Sequence, residues 1–378
     1  MGIPTIMVSR CPKFLASSTA QAAGRRLTER GADAGVASCA RSLTHLRDAL
    51  ARVLVGSLAP TASAANMRRT SGTEHRVIDI ERIRAAAERA RPYVYRSPLV
   101  PVDGALLKLE NLQPTGSFKV RGFFAAALAL PEEKRSRGLI TVSAGNAAQA
   151  CAYAAHTLGV PCRVVMYETA PVTKIEGVKR WGGSPMLMPR PALLDWLANQ
   201  GWESEPETFI HPFADTEVMA GHGGIGLELL EDVRDLARVL VPVGGGGLVG
   251  GTASAIKALR PAVEVIGVQS DGYPLWMRAL EAGGPVSITP DTIADGTTAP
   301  FDARMFELMK TVVNRWLTVP EPRLRAAIPE LAVAGKVVAE GAGALAYAAL
   351  EQVPPGPQTV AVISGGNIDP KLLASLLS

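Results

Sequence analysis

The sequence predicts an α/β protein of two lobes, in which open parallel sheets are covered by helices. Three observations predict it. The chain, at 378 residues, is longer than one average domain. From about residue 77 onward, short apolar runs of strand length alternate with helical patterns. The polar and glycine-rich motifs fall in the strand-to-helix connections, which is where ligands bind on such sheets.

The elements follow in order. Ile78, Ile80, Ile83 and the alanines up to Ala90 suit a helix with acids early and arginines late, stopped by Pro92. Residues 106–110 read as a strand and 118–130 as a helix. The apolar run 139–142 is a strand, followed by Ser-Ala-Gly-Asn and an alanine-rich helix to about His156. Strand 162–166 precedes a helix over 172–181, and another helix is expected over 225–230. Strand 239–243, a tetraglycine loop and a helix to about Leu259 come next. Strand 263–268, helices 324–334 and 343–350, and strand 359–363 complete the pattern. Strands this short and this apolar belong to sheets buried on both faces.

Composition excludes several function classes. No apolar run approaches the ~20 residues that a membrane span requires. The net charge of +4 is unevenly placed: residues 1–70 hold ten Lys/Arg against three acids, so they carry +7 and the remainder −3. The body is mildly acidic and lacks a basic stripe interleaved with aromatics, which argues against nucleic-acid binding. Cys11, Cys39, Cys151 and Cys162 form no CxxC pair and have no histidine at ligand spacing, so reduced thiols in a cytoplasmic setting are expected. No metal-ligand cluster is visible. Residues 1–66 are rich in Ala, Ser and Arg and weakly periodic. They suit a transit segment, a disordered tail, or a reading frame whose working start is Met67; the last two are favoured, and no chemistry is expected there.

Two segments carry chemistry. Gly244, Gly245, Gly246 and Gly247 join an apolar strand to a helix, so backbone N–H groups can converge on a phosphate at a positive helix end. The loop alone names a phosphate and not a cofactor: Asp271 lies at the distance a dinucleotide ribose would require. The second segment is Asn111-Leu-Gln-Pro-Thr-Gly-Ser-Phe-Lys119-Val-Arg-Gly122. Lys119 could be an exposed lysine opening a helix. Helix N-termini disfavour cations, however, and an amine between Phe118 and Val120 at such an end suits a nucleophile of lowered pKa.

The Pro-Thr-Gly-Ser-Phe-Lys-Val-Arg-Gly run resembles the Schiff-base motif of fold-type II pyridoxal-phosphate enzymes, specifically the threonine/serine dehydratase (ammonia-lyase) group. Threonine synthases and the cysteine-synthase group typically carry Asp where Val120 stands. Three further segments match in order: Ser143-Ala-Gly-Asn-Ala-Ala-Gln149, Pro242-Val-Gly-Gly-Gly-Gly247 and Ser364-Gly-Gly-Asn-Ile-Asp369. Looser matches are His211-Pro-Phe-Ala-Asp215, Ile293-Ala-Asp-Gly296 and Glu340-Gly-Ala-Gly343. The resemblance spans roughly residues 77–378 and displaces the dinucleotide reading.

The resemblance implies a two-lobed, tryptophan synthase β-like fold around pyridoxal 5'-phosphate. Residues 67–133 with 218–378 would form the large lobe and 134–217 the small one. Lys119 would be the Schiff-base lysine and then the base at Cα. The loop Gly244, Gly245, Gly246, Gly247 with Leu248 would hold the cofactor phosphate. Phe118 would pack near the pyridine ring, Asn146 would bond the ring hydroxyl, and Ser364 would face the ring nitrogen. The backbone around Ser143, Ala144, Gly145, Asn146 and Ala147 would take the substrate carboxylate. A hydroxyl at Ser364 leaves the ring a shallower electron sink than a carboxylate would, which favours concerted loss of a β-hydroxyl. That group would leave protonated through the cofactor phosphate, as in the family. The implied activity is dehydration and deamination of L-threonine or L-serine, with phenylserine or hydroxyaspartate as variants; a pyridoxal-phosphate-binding protein without strong catalysis, serving as a cofactor carrier or partner subunit, is the other class. A homodimer is implied too.

Three departures matter. Serine racemases carry a second serine where Ala144 stands, which argues against two-base racemisation. Many relatives have His where this chain has Ala147, so the pocket wall differs. Metal-stimulated relatives place a glutamate where Gln269 stands, so no divalent ion is expected. His211 and His222 read as structural, and the fourteen residues after Ser364 leave no room for a regulatory domain.

Overall fold

The computed structural model describes residues 77–378 apart from positions 334 and 357. The expected extension 1–66, and the start of the expected large lobe, lie outside the described residues. Among the described residues, ten strands form two sheets. A six-stranded sheet has the order β1-β2-β10-β7-β8-β9, and a four-stranded sheet the order β5-β4-β3-β6. The first comprises β1 (Leu99–Val102), β2 (Ala105–Leu109), β7 (Arg238–Pro242), β8 (Glu264–Ser270), β9 (Arg315–Val319) and β10 (Thr359–Ile363). The second comprises β3 (Leu139–Val142), β4 (Cys162–Tyr167), β5 (Ser184–Met188) and β6 (Thr208–Phe209).

All pairings are parallel except one. β1 runs antiparallel to β2, with Leu99 opposite Lys108 and Val102 opposite Ala105. The expected parallel sheets thus carry one antiparallel edge strand. A two-residue connection can reverse the chain only into an antiparallel neighbour, and Pro101 in β1 is tolerated because the strand lies at an edge.

The large sheet is apolar on both faces, as its strands foretold. Val239, Val241, Val265, Val360 and Val362 join one core cluster, while Leu240, Ile266, Val268, Ala361 and Ile363 join another on the opposite side. Alternation of side chains along each strand sends neighbours to opposite faces, and helices cover both.

The helix expected over 225–230 is in fact Thr216–Asp232, and His222 lies inside it and not before it. Asp215 caps it by accepting from the N–H groups of Glu217 and Val218 at 2.7 and 3.1 Å. Asp79, Asp302 and Asp369 cap the helices Ile80–Ala90, Ala303–Val312 and Pro370–Leu377 in the same way. The helices that open on the cleft described next lack such caps. Lys119–Ala129, Asn146–Thr157, Gly247–Leu259 and Gly341–Ala348 begin with no side chain bonded to their first N–H groups. Their unpaired donors are free to meet a ligand. Among the described residues, no helix is long and apolar enough to cross a membrane.

Candidate active site

Lys119 is the first residue of its helix. The segment before it is fixed by Gly116 at φ 73°, by the Ser117–Gly365 bridge, and by the Phe118 N–H donating to Ser364 O at 3.0 Å. The lysine is thereby tied to the loop that follows β10. Its Nζ donates to Pro212 O at 2.8 Å and lies 5.0 Å from the Phe118 ring centroid. Burial pushes the amine down to about 8, toward its neutral, nucleophilic form.

Two residues along the same helix, Arg121 anchors a closed set of charges. Arg121 donates to Glu110 at 2.7 and 2.8 Å, to Glu228 at 2.7 and 3.0 Å, and to Tyr95 O at 3.0 Å. Lys108 donates to Glu228 at 2.6 Å and to Ser97 O at 2.7 Å. Two cations meet two carboxylates, and each partner is satisfied.

The glycine loop follows β7. Gly246 sits at φ 90° as the residue that opens the helix Gly247–Leu259, a conformation natural only for glycine. A Cβ on Gly245 would lie 2.4 Å from the Phe213 ring, so the close packing of these two segments depends on its bare Cα. Trp276 Nε1 donates to Gly244 O at 2.5 Å and holds the loop from the far side. This cradle, together with the buried amine of Lys119, fits a phosphorylated aldehyde: one cleft offers both backbone N–H donors and an amine.

On the small sheet, β3 ends at Val142 and Ser143 turns the chain, its Oγ accepting from the Gly145 N–H at 3.0 Å. Asn146 starts the helix. Its Nδ2 donates to Glu340 Oε1 at 2.6 Å, and its Oδ1 accepts from Asn367 Nδ2 at 2.7 Å. Burial first, and then the Asp295 charge, raise the Glu340 carboxyl to about 7, against the donors at Asn146 and Asn367 and the charge of Lys174. Lys174 donates to Asp295 at 2.6 Å.

Phe118, Lys119, residues 143–147, residues 244–248 and Ser364 all line one cleft of about 460 Å³. Ser364 Oγ is buried there, 3.4 Å from Ala342 O. Several wall residues are visible in the sequence only as motif members without a role: Pro212, Phe213, Asp295, Glu340 and Asn367. Lys174 carries no sequence signal. Gln269 is away from the cleft wall, where its Oε1 accepts from the Trp276 and Met277 N–H groups at 3.0 and 3.3 Å. His211 Nδ1 accepts from the N–H groups of Phe213 and Ala214 at 3.3 and 3.0 Å. Burial holds that imidazole down to about 4, so it shapes the loop as a neutral acceptor. His222 packs edge-on against Phe118 at 4.7 Å between centroids.

Comparison with known proteins agrees with this geometry. The pyridoxal-phosphate dependent enzyme family matches residues 90–365. An L-threonine ammonia-lyase from Thermotoga maritima is 39% identical over 318 residues, covering 80% of this chain and 79% of that protein. A catabolic L-threonine dehydratase from Staphylococcus aureus is 35% identical, covering 79% of this chain and 92% of that one. Among solved structures, a threonine deaminase from T.th. superposes with a TM-score of 0.70 at 39% identity, covering 77% of this chain and 98% of its own. Maize serine racemase gives a TM-score of 0.74 at 29% identity, covering 79% and 96%. The buried lysine, the glycine cradle and these matches lead to one statement: the chain belongs to the family of pyridoxal-phosphate dependent enzymes.

Proposed function

We propose that this chain is an ammonia-lyase that removes the β-hydroxyl of a small β-hydroxy amino acid, L-threonine or L-serine first, releasing a 2-oxo acid and ammonia. The observation that carries the proposal is the Lys119 amine, buried at the cleft and held at about 8 beside a glycine cradle. Pyridoxal phosphate, when bound, supplies an electron sink that acidifies the substrate Cα–H.

The chain's own residues do the rest. Lys119 would hold the cofactor and would take the substrate Cα proton on its amine; an amine of about 8 is partly neutral at physiological pH and can do so. The N–H groups of residues 244–248 hold the phosphate, and those of residues 143–147 hold the substrate carboxylate. Asn146 would offer an N–H to the ring hydroxyl, Phe118 would pack beside the ring, and Ser364 would present a neutral hydroxyl to the ring nitrogen. A neutral Ser364 hydroxyl there would leave the cofactor a weaker electron sink than a carboxylate would, which favours loss of the β-hydroxyl. Ala144 presents only a methyl group and can return no proton to Cα, which supports elimination over racemisation.

Residues 67–133 with 218–378 form the large lobe in this proposal and 134–217 the small one; the enzyme is a cytoplasmic homodimer that needs no divalent ion, Gln269 being neutral. Activity that EDTA abolished and Mg²⁺ restored would refute the last point. The deciding experiment incubates the cofactor-loaded enzyme with L-threonine, L-serine, phenylserine and hydroxyaspartate and measures 2-oxo acid and ammonia. Turnover of at least one supports the proposal. Cofactor binding without turnover of any would favour a cofactor carrier.

A further inference from the structure

Glu340 is a carboxyl that the reaction as described does not use. It flanks the N-terminus of the helix Gly341–Ala348, yet its side chain makes no cap to that helix. It turns toward Asn146 instead, with Oε1 2.6 Å from Nδ2. Space for it depends on a glycine: a Cβ on Gly365 would lie 2.4 Å from the same oxygen. Asn367 locks the arrangement from the other side, donating to Asn146 Oδ1 at 2.7 Å and to Thr115 O at 2.8 Å. The Asn146 amide is therefore fixed, one N–H spent on Glu340 and the other left for the cleft.

From this geometry we infer that Glu340 is a positioning residue which, through Asn146, sets the charge felt by the ring hydroxyl of the bound cofactor. The inference rests on the pyridoxal-phosphate reading and extends it. With Glu340 ionised, a negative charge stands one amide group from the ring hydroxyl, and the cofactor chromophore holds its proton more tightly. With Glu340 protonated, that charge is gone. The groups facing the carboxyl are few. Asp295 repels its charge and Lys174 attracts it, but these two pair with each other at 2.6 Å; Asn146 and Asn367 face it as neutral donors. A buried carboxyl so placed exchanges its proton near neutrality, because burial opposes the charge and Lys174, which favours it, is paired with Asp295.

The test is a pH titration of the visible absorption band of the cofactor-loaded enzyme, for the native chain and for Glu340→Gln. The glutamine keeps the shape and an oxygen for the Asn146 N–H but removes the charge. The expected result is a deprotonation midpoint lowered by about one pH unit in Glu340→Gln, the effect of one screened charge at this range. The native titration should also contain a component near neutrality that the variant lacks. In an Asn146→Ala background, Glu340→Gln should move the midpoint by less than a third as much. Identical titrations of native and Glu340→Gln enzyme would overturn the inference, and so would an undiminished shift in the Asn146→Ala background. If Glu340→Gln loads no cofactor, Glu340→Asp decides, since a retained carboxyl must restore both loading and the neutral component. Absence of any visible band in the native enzyme would count against the pyridoxal-phosphate reading itself, a separate outcome.

Discussion

Replacing Arg121 by methionine tests how the buried charge set on the Lys119 helix is held together. The side chain is 4% exposed, Glu110 is 0% and Glu228 14% exposed, and Arg121 makes five hydrogen bonds, four of them to those two carboxylates. Burial alone would raise the Glu110 carboxyl; the Arg121 charge and hydrogen bonds, with the Ser97 hydroxyl and Lys108, overrule it and hold it below the usual carboxylate range. Methionine keeps the length of the stem but leaves Glu110 buried with only Lys108, Ser97 and Gln113 near it. Stranding one partner of a buried pair costs about 3–5 kcal/mol. Whole proteins are stable by only about 5–15 kcal/mol, so the loss should be plain.

Arg121→Lys keeps the charge and loses the two-pronged grip, and should cost roughly half as much. Urea unfolding followed by circular dichroism reads both, as a fall in midpoint at unchanged slope. Adding Glu110→Gln to Arg121→Met removes the stranded charge and should recover at least about 1 kcal/mol by the coupling between contacting residues. A loss below about 1 kcal/mol in Arg121→Met, or no recovery in the double variant, would refute the pairing.

Other outcomes follow from the same geometry. The rate at which the apoenzyme captures pyridoxal phosphate should rise about tenfold per pH unit and level off near pH 8, where burial places the Lys119 amine, and not near the ordinary 10.5; Lys119→Ala should give no visible cofactor band. Gly245→Ala sets a methyl 2.4 Å from the Phe213 ring, so cofactor titration should show at least tenfold weaker binding, while unchanged affinity would mean the loop yields freely. His211 is held at about 4 against an ordinary 6.5, so the unfolded chain takes a proton that the folded one refuses. Its contribution is present above pH 6.5 and lost as pH falls toward 4, roughly 2 kcal/mol after allowing for partial exposure, and His211→Leu should remove that slope from urea midpoints measured at pH 7 and pH 4.5.

Legibility of the fold tracks how locally each element is specified. β3 and β10 match the expected 139–142 and 359–363 to the residue, because each is a β-branched apolar run bounded by polar or glycine turns. β1 and β5 carry no such signal. Both are edge strands containing a proline, with half-exposed side chains, and only pairing with a neighbour makes them strands. The helix Thr216–Asp232 looks shorter in the sequence than it is, because Gly221, Gly223, Gly224 and Gly226 read as loop. A Cβ at Gly221 would lie 2.5 Å from Arg121 O, and one at Gly226 2.5 Å from Thr252 O. These glycines serve close helix packing, which has no local signature. The site is legible where the ligand dictates backbone shape, at residues 143–147 and 244–248. The Asn146–Glu340 contact joins residues 194 apart, and nothing local in either segment announces it.

Stability and reactivity at this site share one cause. Arg121 lies two residues from Lys119 on the same helix, and a bare guanidinium there would be expected to repel the lysine's proton. Burial is nevertheless the cause that lowers Lys119. Lys108 and Arg121 carry two positive charges, Glu110 and Glu228 two negative ones, so the set sums to zero. Arg121→Met would leave that set at −1 and the amine would hold its proton more firmly, moving the pH at which cofactor capture levels off upward. Adding Glu110→Gln would restore neutrality and bring it back. A purely mechanical role for Arg121 would weaken the fold without moving that pH, so the capture profile separates charge balance from packing where a stability measurement alone cannot.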